Sequence, residues 1–181
     1  KILGLDGSLR QMNRAGLDMI EADSLDQVVG KSILGVIAPQ DREAFTGLNE
    51  RVGRGESGML EFEVIGLKGG HRWLETHAVP MHEEGRINGL LSVTRDVTQR
   101  KQAEMAASRA DRLLHEAIES IAEGFTIYDE NDRLVVCNEA YRNIYDTSRD
   151  LIVPGASFEE IVRKGAERGQ YQQALGQVDT W

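Results

Sequence analysis

The sequence predicts an α+β fold: a five-stranded antiparallel sheet with short helices on one face, then a long connector helix and the opening part of a second, incomplete module of the same kind. Three observations predict it. Leu60, Phe62 and Val64 alternate with Glu61 and Glu63, the period of a strand with one buried face. Residues 98–121 hold no Gly or Pro and carry apolar residues at helical spacing. The pattern of the first thirteen residues recurs 125 positions later.

Taken in order, two short apolar runs between Lys1 and Asn13 flank Asp6-Gly7-Ser8, a hairpin signal. Asn13 is a good N-cap, and Leu17, Ile20 and Ala22 follow at near-helical spacing. Glycine-broken short helices continue to Glu56, the clearest over Asp41 to Val52, where Phe45, Leu48 and Val52 share one face. After the strand at Leu60 to Val64, Lys68-Gly69-Gly70-His71 reads as a hairpin in which both glycines tolerate positive φ. A second strand runs from Arg72 to about Met81, and Glu83-Glu84-Gly85 turns it into a third from Ile87 to Val97. Sequential hairpins make the sheet antiparallel and leave the helices on one face.

From Thr98 to Ile121 the residues Ala103, Ala107, Ala110, Leu114, Ala117 and Ile121 recur in alternating steps of four and three, which predicts a coiled-coil seam facing a partner helix and a homodimer through it, with packing of the stripe on its own domain as the alternative. Beyond Gly124, Phe125 to Tyr128, the turn at 129–132, the run Arg133 to Asn138 and a helix capped by Asn138 repeat the opening hairpin, with a turn that reads as two residues longer. The divisions predicted are a first module over 1–98, a helical linker over 99–123 and the N-terminal part of a second module over 124–181.

The formal charge of −9 opposes nucleic-acid binding, which needs clustered Lys and Arg, and the one basic cluster, Arg95 with Arg100 and Lys101, is small. No window approaches the apolar run of about 18 residues of a membrane span, so no membrane contact is expected of this stretch. The single cysteine, Cys137, suits a reducing compartment and reads as a buried strand residue; the expected location is cytoplasmic, with any membrane anchor of the parent lying elsewhere. The chain opens inside a strand without a charged-then-apolar leader and reads as a piece of a longer protein.

Residues 1–98 resemble a PAS domain with its C-terminal PAC segment, through Leu5-Asp6-Gly7 leading to Asn13, the helix start Pro39-Gln40-Asp41-Arg42, the stretch Gly69-Gly70-His71-Arg72-Trp73-Leu74-Glu75, and the closing Asp96-Val97-Thr98 run into a helix. Residues 124–181 resemble another PAS branch through Asn138-Glu139-Ala140-Tyr141, Pro154-Gly155 and Glu167-Arg168-Gly169-Gln170-Tyr171. The resemblance implies a sensory and dimerisation region of a larger bacterial signalling protein, with a sensor histidine kinase of a two-component system as the first choice of parent. A cyclic-di-nucleotide synthase or phosphodiesterase is the alternative parent, and a ligand-free interaction scaffold the alternative role. It also implies a signal relay at Asp96 and Thr98, either of which can cap the following helix.

The cofactor stays open. Haem is disfavoured because none of His71, His77, His82 and His115 lies in the 41–55 helix where haem-binding relatives carry their ligand. A cysteinyl flavin is disfavoured because Cys137 lies outside the first module. A small-molecule cavity between sheet and helices would have Ile33, Phe45, Phe62 and His77 in its wall; a fully packed core is the equal alternative. Trp73 is expected to pack on the outer face of the sheet. His71 and His77, six residues apart without a third ligand, make a poor metal site. His115-Glu116 lacks the downstream residues of a kinase phosphoacceptor, and no nucleophile, acid and base constellation is present, so no catalytic residue is expected.

Overall fold

In the computed structural model of the protein, residues 1–171 and 173 are described. Leu3 and Leu9 are the buried residues of β1 (Ile2–Gly4) and β2 (Leu9–Gln11), which pair antiparallel around the Asp6-Gly7 turn. Asp6 Oδ1 closes that turn by accepting from the Ser8 amide at 3.0 Å and the Ser8 hydroxyl at 2.6 Å. Asn13 caps α1 (Arg14–Met19) by accepting the Gly16 amide at 3.0 Å. Short 3-10 turns then lead to Pro39–Asp41 and into α2 (Arg42–Gly53), whose buried stripe is Phe45, Leu48 and Val52.

The sheet is completed by β3 (Gly58–Ile65), β4 (His71–Glu83) and β5 (Arg86–Asp96), in the order β2-β1-β5-β4-β3. Every pairing is antiparallel, with Phe62 opposite Leu74 and Thr76 opposite Thr94. On β4 the buried residues are Leu74, Thr76 and Ala78, so the even positions face the helices. Phe45 and Phe62 meet edge to face, ring centroids 4.9 Å apart, a pair that adds about 0.5–1.5 kcal/mol beyond the burial of the two rings.

The β3–β4 hairpin departs from expectation in one respect. Gly69 takes the left-handed φ of 89°, but Gly70 does not. Gly70 instead receives the Glu21 carboxylate, which accepts the amides of Lys68 at 3.2 Å and Gly70 at 2.9 Å and occupies the space where a Cβ would stand.

The chain forms two compact units, Lys1–Met105 and Ala106–Trp181, and α3 (Thr98–Glu119) contributes its first turns to one and the rest to the other. The second unit contains β6 (Thr126–Tyr128), β7 (Leu134–Cys137), α4 (Glu139–Ile144) and α5 (Phe158–Glu167) around Leu134, Cys137, Tyr141, Ile152 and Ile161. Cys137 is buried there, and burial pushes its thiol pKa up.

The duplication extends to individual backbone hydrogen bonds. Gly4 N–H donates to Ser8 O at 2.8 Å and Asp129 N–H to Arg133 O at 2.9 Å. Gly30 N–H donates to Leu9 O at 2.8 Å, and Gly155 N–H to Leu134 O at 2.7 Å. Ile33 N–H donates to Gly7 O and Phe158 N–H to Asp132 O. Each pair is related by 125 positions, so the two turns have the same length and the longer second turn expected from the sequence is corrected. Gly4, the last residue of β1, and Leu5 correspond to Asp129 and Glu130, and Gly7 (φ 77°) corresponds to Asp132 (φ 55°). The equivalence ends after Ser32 and Ser157. Ser32 caps a single 3-10 turn, whereas Ser157 starts the ten-residue α5.

Gly30 and Gly155 sit at equivalent positions with φ of 75° and 87°, and open space surrounds the point where a Cβ would stand. Gly30→Ala and Gly155→Ala should therefore each lower stability by about 1–2 kcal/mol through backbone strain alone. Denaturant unfolding measures this, and the two losses should agree within a few tenths of that unit.

Candidate ligand cavity and helix junction

Between the inner face of the sheet and the short helices of the first unit lies a cavity of about 310 Å³. Ile33, Phe45 and Phe62 line it, together with Met12, Met19, Ile20 and Leu74. His77 does not. It is an odd residue of β4, opposite in parity to the buried Leu74, Thr76 and Ala78, and lies exposed on the outer face with its Nε2 3.3 Å from Glu75. His77 is therefore corrected from cavity wall to outer surface.

One wall of the cavity is polar. Thr76 and Ser92 are buried on the inner face, and Thr94 stands opposite Thr76 with their hydroxyls 2.9 Å apart. Lys1 joins them, its Nζ donating to Thr94 Oγ1 at 2.8 Å and to Thr76 Oγ1 at 3.2 Å, and lying 6.0 Å from the Phe45 ring centroid. Strand parity puts it there, because Lys1 shares the face of the fully buried Leu3. Burial lowers the pKa of the Lys1 ammonium from 10.5 to about 8. The sequence reading missed Lys1; its position two residues before Leu3 was the available signal.

The second feature is the passage from sheet to helix. The β4–β5 ladder ends at the pair Leu74 and Asp96. Its next rung is built by the residues that begin the helix: Val97 N–H donates to Trp73 O at 2.9 Å, and Trp73 N–H donates to Thr98 Oγ1 at 3.0 Å. Asp96 Oδ1 accepts the Thr98 amide at 2.9 Å, and its Oδ2 meets Arg72 at 3.2 Å. Partial burial works to raise the Asp96 pKa, but hydrogen bonding from Thr98 and Arg72 outweighs it and the carboxyl sits below its usual value.

The first turns of α3 are also held to β3 by charge. Glu61 pairs with Lys101 at 2.6 Å and with Arg100, and these two partners lower its pKa. Lys101 Nζ stands 5.5 Å from the centroid of Trp73 on the outer face of the sheet. Residues 102–117, which include Ala103, Ala107, Ala110, Leu114 and Ala117, are exposed, whereas Ile121 is half-buried.

The other end of α3 is fastened within the second unit by Asn138, which is fully buried. Its side-chain N–H groups donate to the carbonyls of Ile118 at 3.4 Å, Ile121 at 3.1 Å and Glu123 at 2.8 Å. Its Oδ1 accepts the amides of Phe125 at 2.8 Å and Tyr141 at 2.9 Å. The sequence identified the cap on α4 but not the clamp on the end of α3, which closes over a span of 20 residues.

His71 pairs with Glu63 at 2.6 Å and His115 lies 3.9 Å from Glu119, both exposed. Among the described residues no three His, Cys, Asp or Glu side chains gather as a metal-holding set, and no helix is long and apolar enough to cross a membrane.

Residues 1–102 match a family model described as the PAS fold, and residues 118–181 match a second model of that description. The non-motile and phage-resistance protein of Caulobacter vibrioides is 35% identical over 77 residues, which is 42% of this chain and 9% of that protein. The chain thus matches less than a tenth of that relative's length. Among solved structures, a PAS domain from Colwellia psychrerythraea is similar at 24% identity and a TM-score of 0.49, over 54% of this chain and 84% of that one. A sensory box histidine kinase/response regulator from Burkholderia thailandensis is similar at 19% identity and a TM-score of 0.49, over 64% of this chain and 88% of that one.

Thr98→Val keeps the shape of the side chain but removes the acceptor for the Trp73 amide. It should cost about 1–3 kcal/mol and raise hydrogen exchange at the Trp73 amide before other β4 amides. For Lys1 the sign follows from its lowered folded pKa. The unfolded chain binds more protons between about pH 8 and 10.5, so stability rises with pH across that window. Relative to Lys1→Met, the wild type should gain up to about 3 kcal/mol over it, measured by denaturant unfolding at each pH.

Proposed function

The chain belongs to the PAS family, and we propose that it is the cytoplasmic sensory and dimerisation region of a larger bacterial signalling protein, a sensor histidine kinase of a two-component system. The observation that carries this reading is the rung shared between Trp73 and the start of α3. A change of occupancy in the cavity alters the inner face of β4 and β5 at Leu74, Ser92 and Thr94. The same strands hold Asp96 and Thr98, so a shift in twist or register reaches the first turn of the helix through a few hydrogen bonds. The helix converts it into rotation or shear against its twin.

The seam Ala103, Ala107, Ala110, Leu114, Ala117 and Ile121 supports a twin as the partner, since it follows the heptad spacing of paired helices. Leu113 and Leu114 are 52% and 62% exposed in the single chain, and burying one leucine stabilises by about 1.5–3 kcal/mol. Ion pairs along the helix, Arg100 with Glu104 at 2.8 Å and Arg112 with Glu116 at 3.9 Å, are four residues apart and leave the seam free of charge. A helical dimer output such as a histidine kinase takes up a rotation of this kind directly.

Light scattering on the whole chain tests this reading, beside a double variant Ala107→Glu, Leu114→Glu. The wild type should be a dimer at micromolar concentration and the variant a monomer with an unchanged circular dichroism spectrum. A monomeric wild type would remove the helical relay.

A further inference from the structure

We propose that the cavity of the first unit recognises a small organic monoanion, a compound with one carboxylate and an apolar body, and that Lys1 recognises its charge. The proposal rests on the sensory reading above and gives its stimulus a chemical class.

Lys1 is placed by the sheet rather than by chance of surface packing. Its backbone is locked opposite Ser92, with Ser92 N–H donating to Lys1 O at 2.9 Å, and the alternation of β1 turns its side chain to the inner face beside Leu3. The ammonium reaches two hydroxyls, Thr94 and Thr76, and the Phe45 ring. Among the described residues no carboxylate stands within ion-pair distance of it. The chain nevertheless carries 30 acidic residues against 21 basic ones, and the exposed cations Lys68, Arg72 and Arg100 all have acidic partners. A cation directed into an apolar enclosure without a counter-charge is costly to a fold, and replacing it by an apolar side chain would normally stabilise. A ligand that brings the missing charge removes that cost, and does so in a low-dielectric site where the attraction is strong. The lowered pKa of Lys1 fits an ammonium held without an anion.

The remaining lining defines the rest of the ligand. Polar groups gather at one wall, at Lys1, Ser92 and Thr94, and Met12, Met19, Ile20, Ile33 and Phe62 supply apolar surface. The volume of about 310 Å³ corresponds to roughly ten water volumes, which suits a short aliphatic or single-ring acid. No arginine lines the cavity, and one ammonium with neighbouring hydroxyls matches a single negative charge better than a phosphate, for which bidentate Arg or a cluster of donors is the usual partner. The two methionines adapt to the shape of an apolar body.

Isothermal titration of the whole chain with hexanoate, octanoate, benzoate and phenylacetate, each beside its primary amide, tests this. At least one acid should bind the wild type tenfold or more tightly than its amide. In Lys1→Met the acid should fall to the affinity of the amide while the amide is unaffected, and the unliganded variant should melt at a higher temperature than the wild type. Thr94→Val, which loosens the ammonium without removing it, should reduce the preference for the acid. Equal binding of acid and amide to the wild type, or a preference retained in Lys1→Met, would overturn the charge assignment and leave the sensory cavity standing. Binding of neither acid nor amide to the wild type would overturn the assignment and the sensory cavity together.

Discussion

Trp73 is the residue at which the sheet becomes a helix, and the connection is backbone chemistry. Its N–H and C=O would be left unpaired where β5 ends, and an unpaired main-chain group away from water is expensive. The chain satisfies both with the residues that start α3: the Val97 amide takes the carbonyl and the Thr98 hydroxyl takes the amide. Asp96 in turn accepts the Thr98 amide, so the helix start is fixed by the strand it leaves. Each such bond contributes about 0.5–1.5 kcal/mol net, and a domain has only about 5–15 kcal/mol in total. In the relay proposed above, a connection of this size is firm enough to transmit a displacement and weak enough to be shifted by a ligand.

The second unit solves the same problem by another route. Asn138 satisfies carbonyls at the end of α3 and amides at the starts of β6 and α4 with one buried side chain. Its equivalent 125 positions earlier, Asn13, makes the same cap on its own helix. The two modules thus share a hairpin, a capped helix and the long-range bonds at Gly30 and Gly155, and diverge where Ser157 begins a long amphipathic helix in place of a 3-10 turn.

The hairpins, the order of elements and the helical run from Thr98 were legible in the sequence, because alternation, Gly turns and caps are local properties that each write their own signal. The parts misread depended on register or on contacts between distant segments. His77 was expected in the cavity wall, although Phe62 pairs with Leu74 and that pairing fixes the even residues of β4 as the inner ones. Gly70 looked like a conformational glycine, but its φ is not positive and its amide is held by Glu21 across 49 positions. The second turn looked longer because Gly4 and Leu5 read as strand while their equivalents Asp129 and Glu130 read as turn, and only the matching bonds from Gly4 to Ser8 and from Asp129 to Arg133 show the two to be of equal length. Lys1 was passed over because a lysine at a strand start reads as surface. Its parity with Leu3 was visible, but what it meets inside, Thr76 and Thr94, lies 75 and 93 residues away.

The central claim is that the cavity wall and the helix start are energetically coupled through β4 and β5. A double-mutant cycle between Thr94→Val in the wall and Thr98→Val at the junction measures it, read as hydrogen-exchange protection of the Lys101 amide, which donates to Val97 O at 3.0 Å. The account predicts a coupling energy of at least about 0.5 kcal/mol, each substitution changing the effect of the other on the first helical turn. Strictly additive effects, as for independent sites, would contradict it.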